Sequence, residues 1–255
     1  MEAKVLSNPF PGLRPFEADE EHLFFGREQE IDELLRRLRT TRFLLVAGSS
    51  GTGKSSLVRS GLIPALQSGS MLQAGSNWRI ILFRPGDNPI ANLAAAMDAP
   101  DALGSEGELA STNRVLLEAT LLRSSLGIVQ AVRLAQTPSN DNVLIVVDQF
   151  EELFRFRRSG RGGNSRDEAA AFFKLLLEAT GQQDLPIYIA LTMRSSIWTP
   201  QLRRGRALIA RVMNSSCRGF HRCKCSLGRL MRKKDHLVVV LARAALSDSL
   251  LVGGA

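Results

Sequence analysis

The chain has 255 residues, 44% of them hydrophobic, which is enough apolar material for one α/β domain and a fragment of a second. No run of twenty unbroken apolar residues offers a membrane-spanning helix, and the start lacks the basic-then-apolar layout of a signal peptide, so a cytoplasmic protein without a membrane partner is expected. The net charge of +8 is local: residues 196–255 hold 12 of the 33 Lys+Arg and 2 of the 25 Asp+Glu, a surplus of +10, which leaves residues 1–195 at −2.

Residues 1–22 are Pro-rich, carry Glu17, Asp19, Glu20 and Glu21, and read as an extended arm with a short polar turn. Phe25-Gly26-Arg27-Glu28 reads as a turn into a helix, where Ile31, Leu34, Leu35 and Leu38 fall at helical spacing and the pattern ends before Thr40. Phe43 to Ala47 is an apolar, strand-like run. Directly behind it stand Gly48, Ser49, Ser50, Gly51, Thr52, Gly53, Lys54 and Ser55, spelling G-x-x-x-x-G-K-[ST]. In such a loop backbone amides fold around a phosphate pair, the lysine ammonium meets the outer phosphates, and the last hydroxyl faces Mg²⁺. Ser55 to Ser60 then opens a helix whose N-terminal amides favour an anion. The strand-loop-helix context is what separates this reading from a Gly/Ser-rich loop with a chance lysine. Ser56 completes the candidate nucleotide-binding set.

Trp78 to Phe83 reads as a further strand, Arg84-Pro-Gly as its turn, and Pro89 as the opening of a helix from Ile90 to Met97. Residues 98–107 read as a loop, and Val115 to Leu122 and Ile128 to Ala135 as helices. Val143 to Val147 is an apolar run without alternation, as in a strand buried on both faces, and it ends in Asp148. At the tip of a strand neighbouring the loop strand, that carboxylate suits Mg²⁺ beside Ser55; the competing reading is a cap on the next helix. Glu151 and Glu152 follow at once, and either suits the task of orienting an attacking water, against the reading that both decorate the first turn of a helix from Glu151 to Arg158. The Arg/Gly-rich stretch 155–166 reads as a solvated loop, and Arg166 to Thr180 as an amphipathic helix closed by Gly181. Pro186 to Thr192 is a third buried run, and Arg194 just beyond it stands where an open α/β sheet binds ligands, in reach of a γ-phosphate, against the competing reading of an arginine simply solvated at a strand end. Strand and helix patterns alternate throughout. The expectation is an α/β fold of the P-loop NTPase kind, three layers α/β/α around a mainly parallel sheet, over residues 23–195.

Asn8-Pro-Phe-Pro-Gly-Leu-Arg-Pro-Phe16, Leu23-Phe-Phe-Gly-Arg-Glu28, the phosphate loop, Arg84-Pro-Gly-Asp-Asn-Pro89, Val147-Asp-Gln-Phe-Glu-Glu-Leu-Phe154 and Leu191-Thr-Met-Arg-Ser195 occur in this order. Together they resemble the novel STAND subgroup of the STAND-class P-loop NTPases, signal-transduction ATPases related to AAA+ and origin-recognition ATPases. The resemblance implies a switch operated by ATP or GTP with Mg²⁺ and slow hydrolysis, and it assigns Gly26, Arg27 and Glu28 to the base and sugar. It also implies self-association through lid and winged-helix regions and a downstream signalling partner. Two departures stand out. Many relatives carry a catalytic acid directly after the aspartate, where this chain has Gln149, and they continue past the Arg-Ser with an acidic-aromatic turn, where this chain has Ser196-Ile-Trp-Thr-Pro200.

The basic tail, 196–255, reads as irregular or partly helical and as a degenerate or frame-shifted continuation. It holds all three cysteines, Cys217, Cys223 and Cys225, which with His221 form a C-x3-H-x-C-x-C pattern that lacks the paired ligands usual for zinc. Nucleic-acid binding through its charge is a further alternative, but aromatic interleaving is almost absent after Trp198. Apart from a working switch, a nucleotide-binding remnant or interaction module without turnover is the alternative reading of the chain.

Overall fold

The computed structural model describes residues 11–71, 74–104, 110–135, 141–155, 165–195 and 238–239. Its helices are α1 (Glu28–Thr41), α2 (Lys54–Ser56), α3 (Ile63–Gln67), α4 (Pro89–Met97), α5 (Ala110–Arg123), α6 (Gly127–Leu134), α7 (Glu152–Arg155) and α8 (Ser165–Thr180), and its strands are β1 (Phe43–Gly48), β2 (Trp78–Phe83), β3 (Asn142–Val147), β4 (Ile187–Arg194) and β5 (Val238–Val239). The sheet order is β2-β3-β4-β1-β5, with the first four strands parallel and β5 antiparallel to β1.

Alternation along each strand divides the apolar side chains between two layers. Phe43, Leu45, Ile81, Phe83, Ile145, Val147, Ile189 and Leu191 join one core with residues of α4, α5, α6 and α8. Leu44, Val46, Leu144, Val146, Tyr188 and Ala190 join the other, with Leu34 and Leu38 of α1 and with Leu57, Leu62 and Leu66. β1 and β3 are buried at all six positions, as expected of strands covered on both faces. The three-layer α/β/α expectation is met. Among the described residues no helix is long and apolar enough to cross a membrane.

The structure amends several boundaries. α1 runs on to Thr41, and the hydroxyls of Thr40 and Thr41 donate back to the carbonyls of Arg36 and Arg37 at 3.0 and 2.9 Å. Arg42 then closes it in a left-handed conformation (φ 54°), and its guanidinium donates to the carbonyls of Gln182 and Leu185, fastening the start of β1 to the approach to β4. The polar turn of the arm is a 3-10 helix, Ala18–Leu23, and the segment before it lies against the helix that follows the phosphate loop. In the tail, Val238 and Val239 pair with Ala47 and Val46 of β1; the cysteines, His221 and Trp198 lie outside the described residues.

Between α2 and α3 the chain stays helical but widens to a π segment, Leu57–Leu62. Pro64 explains it. A proline inside a helix lacks the N–H that would bond the carbonyl of Ser60 and its ring crowds that carbonyl, so a wider turn just upstream removes the clash.

Candidate functional site

The site lies at the carboxyl ends of β1, β3 and β4, held level by a register that pairs Gly48 with Arg194 and Val147 with Leu191. Leaving β1, the loop turns through Gly51 and Gly53 at φ 78° and 74°, values that side-chain-bearing residues rarely adopt, and enters α2 at Lys54. Thr52 Oγ1 and Lys54 Nζ both donate to the carbonyl of Ser49, at 3.0 and 2.6 Å. The Lys54 side chain is buried, and that burial lowers its pKa from the ordinary lysine value; Arg194 adds to the lowering, while Glu151 and Asp148 oppose it.

β3 ends at Asp148, 1% exposed. Its Oδ1 accepts from Ser55 Oγ at 2.7 Å and from Thr192 Oγ1 at 2.6 Å, and its Oδ2 from Arg59 Nη2 at 3.0 Å, with Arg84 Nε at 3.8 Å. The residue caps no helix; its N–H bonds the carbonyl of Phe83. The strand order corrects one expectation. Asp148 does not stand on a strand next to the loop strand: β4 lies between β3 and β1, and its Thr192 fills the gap.

Gln149 adopts φ 59°, and its N–H donates to Thr192 Oγ1 at 2.9 Å. This sharp turn separates the two glutamates. Glu151 precedes α7 and so does not decorate its first turn; it is 2% exposed, accepts from Arg194 N at 3.3 Å, and faces Arg194 Nε at 3.1 Å. Arg194 is therefore paired rather than solvated alone. Glu152, the first residue of α7, accepts from Gly86 N at 3.2 Å, and the Gln149 amide, with its oxygen and nitrogen assigned from the surrounding hydrogen-bond partners, bridges Glu152 and Arg84, each at 3.2 Å. The structure thus brings Lys54, Ser55, Asp148, Glu151 and Arg194 together and turns Glu152 toward the β2 side.

Two groups sit apart. Ser56 Oγ, on a buried residue, accepts from Phe16 N at 3.2 Å, so its hydroxyl serves the arm. The hydrogen bonds and ion pairs of Gly26, Arg27 and Glu28 are local: Gly26 N to Glu28 Oε1 at 2.7 Å, Arg27 Nε to Glu30 at 2.9 Å, and Arg27 O accepting from Ile31 N. These residues open α1, whose Ile31 lies over Gly61 of the π segment so closely that an added Cβ there would meet it at 2.9 Å.

Sequence reasoning missed Arg59, Thr192 and Glu17. The signal for Arg59 was its spacing: four residues after Ser55, it shares that residue's helix face and hence its partner Asp148. Thr192 stands two residues before Arg194, on the same face of β4, and is an aliphatic hydroxyl that follows the apolar run Ile189 to Leu191. Because it is 2% exposed and holds both Asp148 and Gln149 N, Thr192→Val leaves a buried amide and carboxylate oxygen each one partner short. We expect a loss of about 1–3 kcal/mol, read as a lower urea midpoint at unchanged slope.

The donor chemistry fits Mg²⁺ and a polyphosphate. Ser55 and Asp148 offer hard oxygens side by side, and the ammonium of the buried Lys54, whose one hydrogen-bond partner among the described residues is the Ser49 carbonyl, stands at a helix N-terminus.

The family described as Novel STAND NTPase 1 matches residues 9–217, continuing past Ser195, where the resemblance read from the sequence stopped. No curated protein matches the chain. Among solved structures it is similar to the Walker-type ATPase PABY2304 of Pyrococcus abyssi, at 17% identity and a TM-score of 0.42 over 80% of this chain and 52% of that one, so it spans about half that ATPase's length. It is also similar to a chain from the E. coli MS115-1 HORMA:CdnC:Trip13 complex, at 15% identity and a TM-score of 0.41 over 83% of this chain and 74% of that one.

Proposed function

The chain belongs to the Novel STAND NTPase 1 family, and from that premise we propose that it is a signalling switch that binds ATP or GTP with Mg²⁺ and hydrolyses it slowly. One observation carries the reading: Ser55 and Asp148, 93 residues apart in sequence, meet at 2.7 Å beneath the helix N-terminus that bears Lys54. In this reading the amides of Gly48 to Gly53 and Lys54 hold the phosphates, and Ser55 and Asp148 hold the metal, which when bound neutralises charge on the β- and γ-oxygens. Glu151 orients the water. Its burial and its place beside Lys54 and Arg194 favour it over Glu152, which is committed to Gly86 and Gln149. Arg194 meets the γ-phosphate, and Gly26, Arg27 and Glu28 at the start of α1 meet the base and sugar.

A switch needs two conformations with different nucleotide affinity, and the differential sets how far the balance moves. We extend the proposal to self-association and a downstream partner as its output, in the cytoplasm. A nucleotide-binding module without turnover is the second reading, favoured by the Glu151–Arg194 pair, which engages both groups with each other.

Titration with ATP, ADP and GTP, with and without MgCl₂, tests the proposal. Ligand at a hundred times its dissociation constant is expected to stabilise the fold by about 2.7 kcal/mol, more readily with Mg²⁺ for the triphosphates. Phosphate release then separates the two readings, and no thermal shift with any of the three nucleotides would sink both.

A further inference from the structure

Asp148 has its two oxygens satisfied by different kinds of donor. Hydroxyls of Ser55 and Thr192 serve Oδ1, and a guanidinium serves Oδ2. That guanidinium, Arg59, has a side chain only 14% exposed, and its other terminal nitrogen donates to Glu17 Oε1 at 2.6 Å. Glu17 belongs to the N-terminal segment, which is fastened to the same stretch of helix twice more. Phe16 N donates to Ser56 Oγ at 3.2 Å, and Ser60 Oγ donates to the carbonyl of Glu17 at 2.5 Å. Ser56 and Ser60 are four residues apart, as are Ser55 and Arg59, so one helical stretch shows one pair to the arm and the other to Asp148.

We propose that Arg59 is a resident cation that sets the metal affinity of the site, and that Glu17 sets the strength of that effect from the N-terminal segment. The inference rests on reading Ser55 and Asp148 as the metal pair. A guanidinium on Oδ2 and a dication beside Oδ1 share one buried carboxylate and repel each other at close range, where water screens weakly. The two hydroxyls on Oδ1 hold the carboxylate, and the bond from Asp148 N to Phe83 O its backbone, without Arg59. Arg84 Nε, at 3.8 Å from Oδ2 on a half-exposed side chain, is the farther and better-screened cation, so the metal feels chiefly the charge of Arg59. Glu17 offsets part of that charge. The arm is then an electrostatic input: lifting Glu17 away leaves Arg59 undiluted at Asp148 and weakens the metal.

The two carboxylate neighbours of Arg59 therefore predict opposite signs for two neutralising substitutions. With the full chain and mant-ATP or mant-GTP as probe, the half-saturating Mg²⁺ concentration is expected to fall by about threefold in Arg59→Gln and to rise by about threefold in Glu17→Gln. The double variant should match Arg59→Gln, since Glu17 acts through Arg59, and Arg59→Lys should stay near the wild type. Mn²⁺ titrated in place of Mg²⁺ and followed by electron paramagnetic resonance gives a second readout that needs no turnover. A purely structural role would shift both single variants the same way and lower both melting temperatures. That result, an additive double variant, or unmoved titrations would overturn the proposal. A wild-type protein that binds neither probe in any metal would instead sink the reading of the site itself.

Discussion

Lys54→Ala is expected to remove nucleotide binding while leaving the nucleotide-free protein folded. Lys54 is 9% exposed, its ammonium is bent back onto the Ser49 carbonyl at 2.6 Å, and burial lowers its pKa. Such a group is held at a cost that a phosphate would offset. Losing it should weaken triphosphate binding by at least about a hundredfold, equivalent to roughly 2.7 kcal/mol, and erase the thermal shift produced by the wild-type ligand concentration. The same residue makes a prediction in the absence of ligand. Between its lowered folded pKa and the ordinary lysine value of 10.5 the unfolded chain binds more protons at this residue than the folded one. Its contribution to stability therefore rises with pH across that window and is flat below it. Urea titrations on the alkaline side should show that rise in the wild type and a smaller one in Lys54→Ala. A nucleotide-induced shift unchanged by the substitution would place the nucleotide elsewhere.

Asp148→Ala is expected to be the most damaging single change in the site. It leaves Arg59 facing Glu17 alone, takes the shared acceptor from the Ser55 and Thr192 hydroxyls, and opens space in a region 1% exposed. Removing one partner of a buried, hydrogen-bonded ion pair costs about 3–5 kcal/mol, so the unfolding midpoint should drop sharply. Asp148→Asn separates fold from metal. It keeps the shape and an acceptor oxygen but not the charge, so a smaller stability loss should accompany loss of the difference between titrations with and without Mg²⁺. An Asn variant whose nucleotide affinity still rises with Mg²⁺ as in the wild type would remove Asp148 from the metal site.

Much of this was legible in the sequence because the signals were local. The spelling from Gly48 to Ser55, the unbroken apolar run ahead of Asp148 and the proline before Ile90 each report on a few adjacent residues, and β1, β3 and α4 form where those signals lie. Strand order was not legible, since which strand lies between which is decided by side chains far apart in the chain. The expectation that Asp148 stands on a neighbouring strand failed for that reason. Periodicity also gave no warning of the left-handed turn at Gln149, where a non-glycine residue carries the chain between two buried acids, and so it placed Glu151 inside a helix. The role of Ser56 turned on a partner forty residues away, in a segment that read as an extended arm.

β4, inserted between the other two strands that end at the site, has a mechanical consequence. Two of its last three residues are stitched to the segment that leaves β3: Thr192 to Asp148, Gln149 and Phe150, and Arg194 to Glu151. Hydroxyl and guanidinium sit two positions apart on one rigid ribbon, about 7 Å along its axis. A displacement of β4 along its own axis would therefore carry the partner of the Asp148 carboxylate and the partner of the Glu151 carboxylate together, so the two buried acids are geared to one strand.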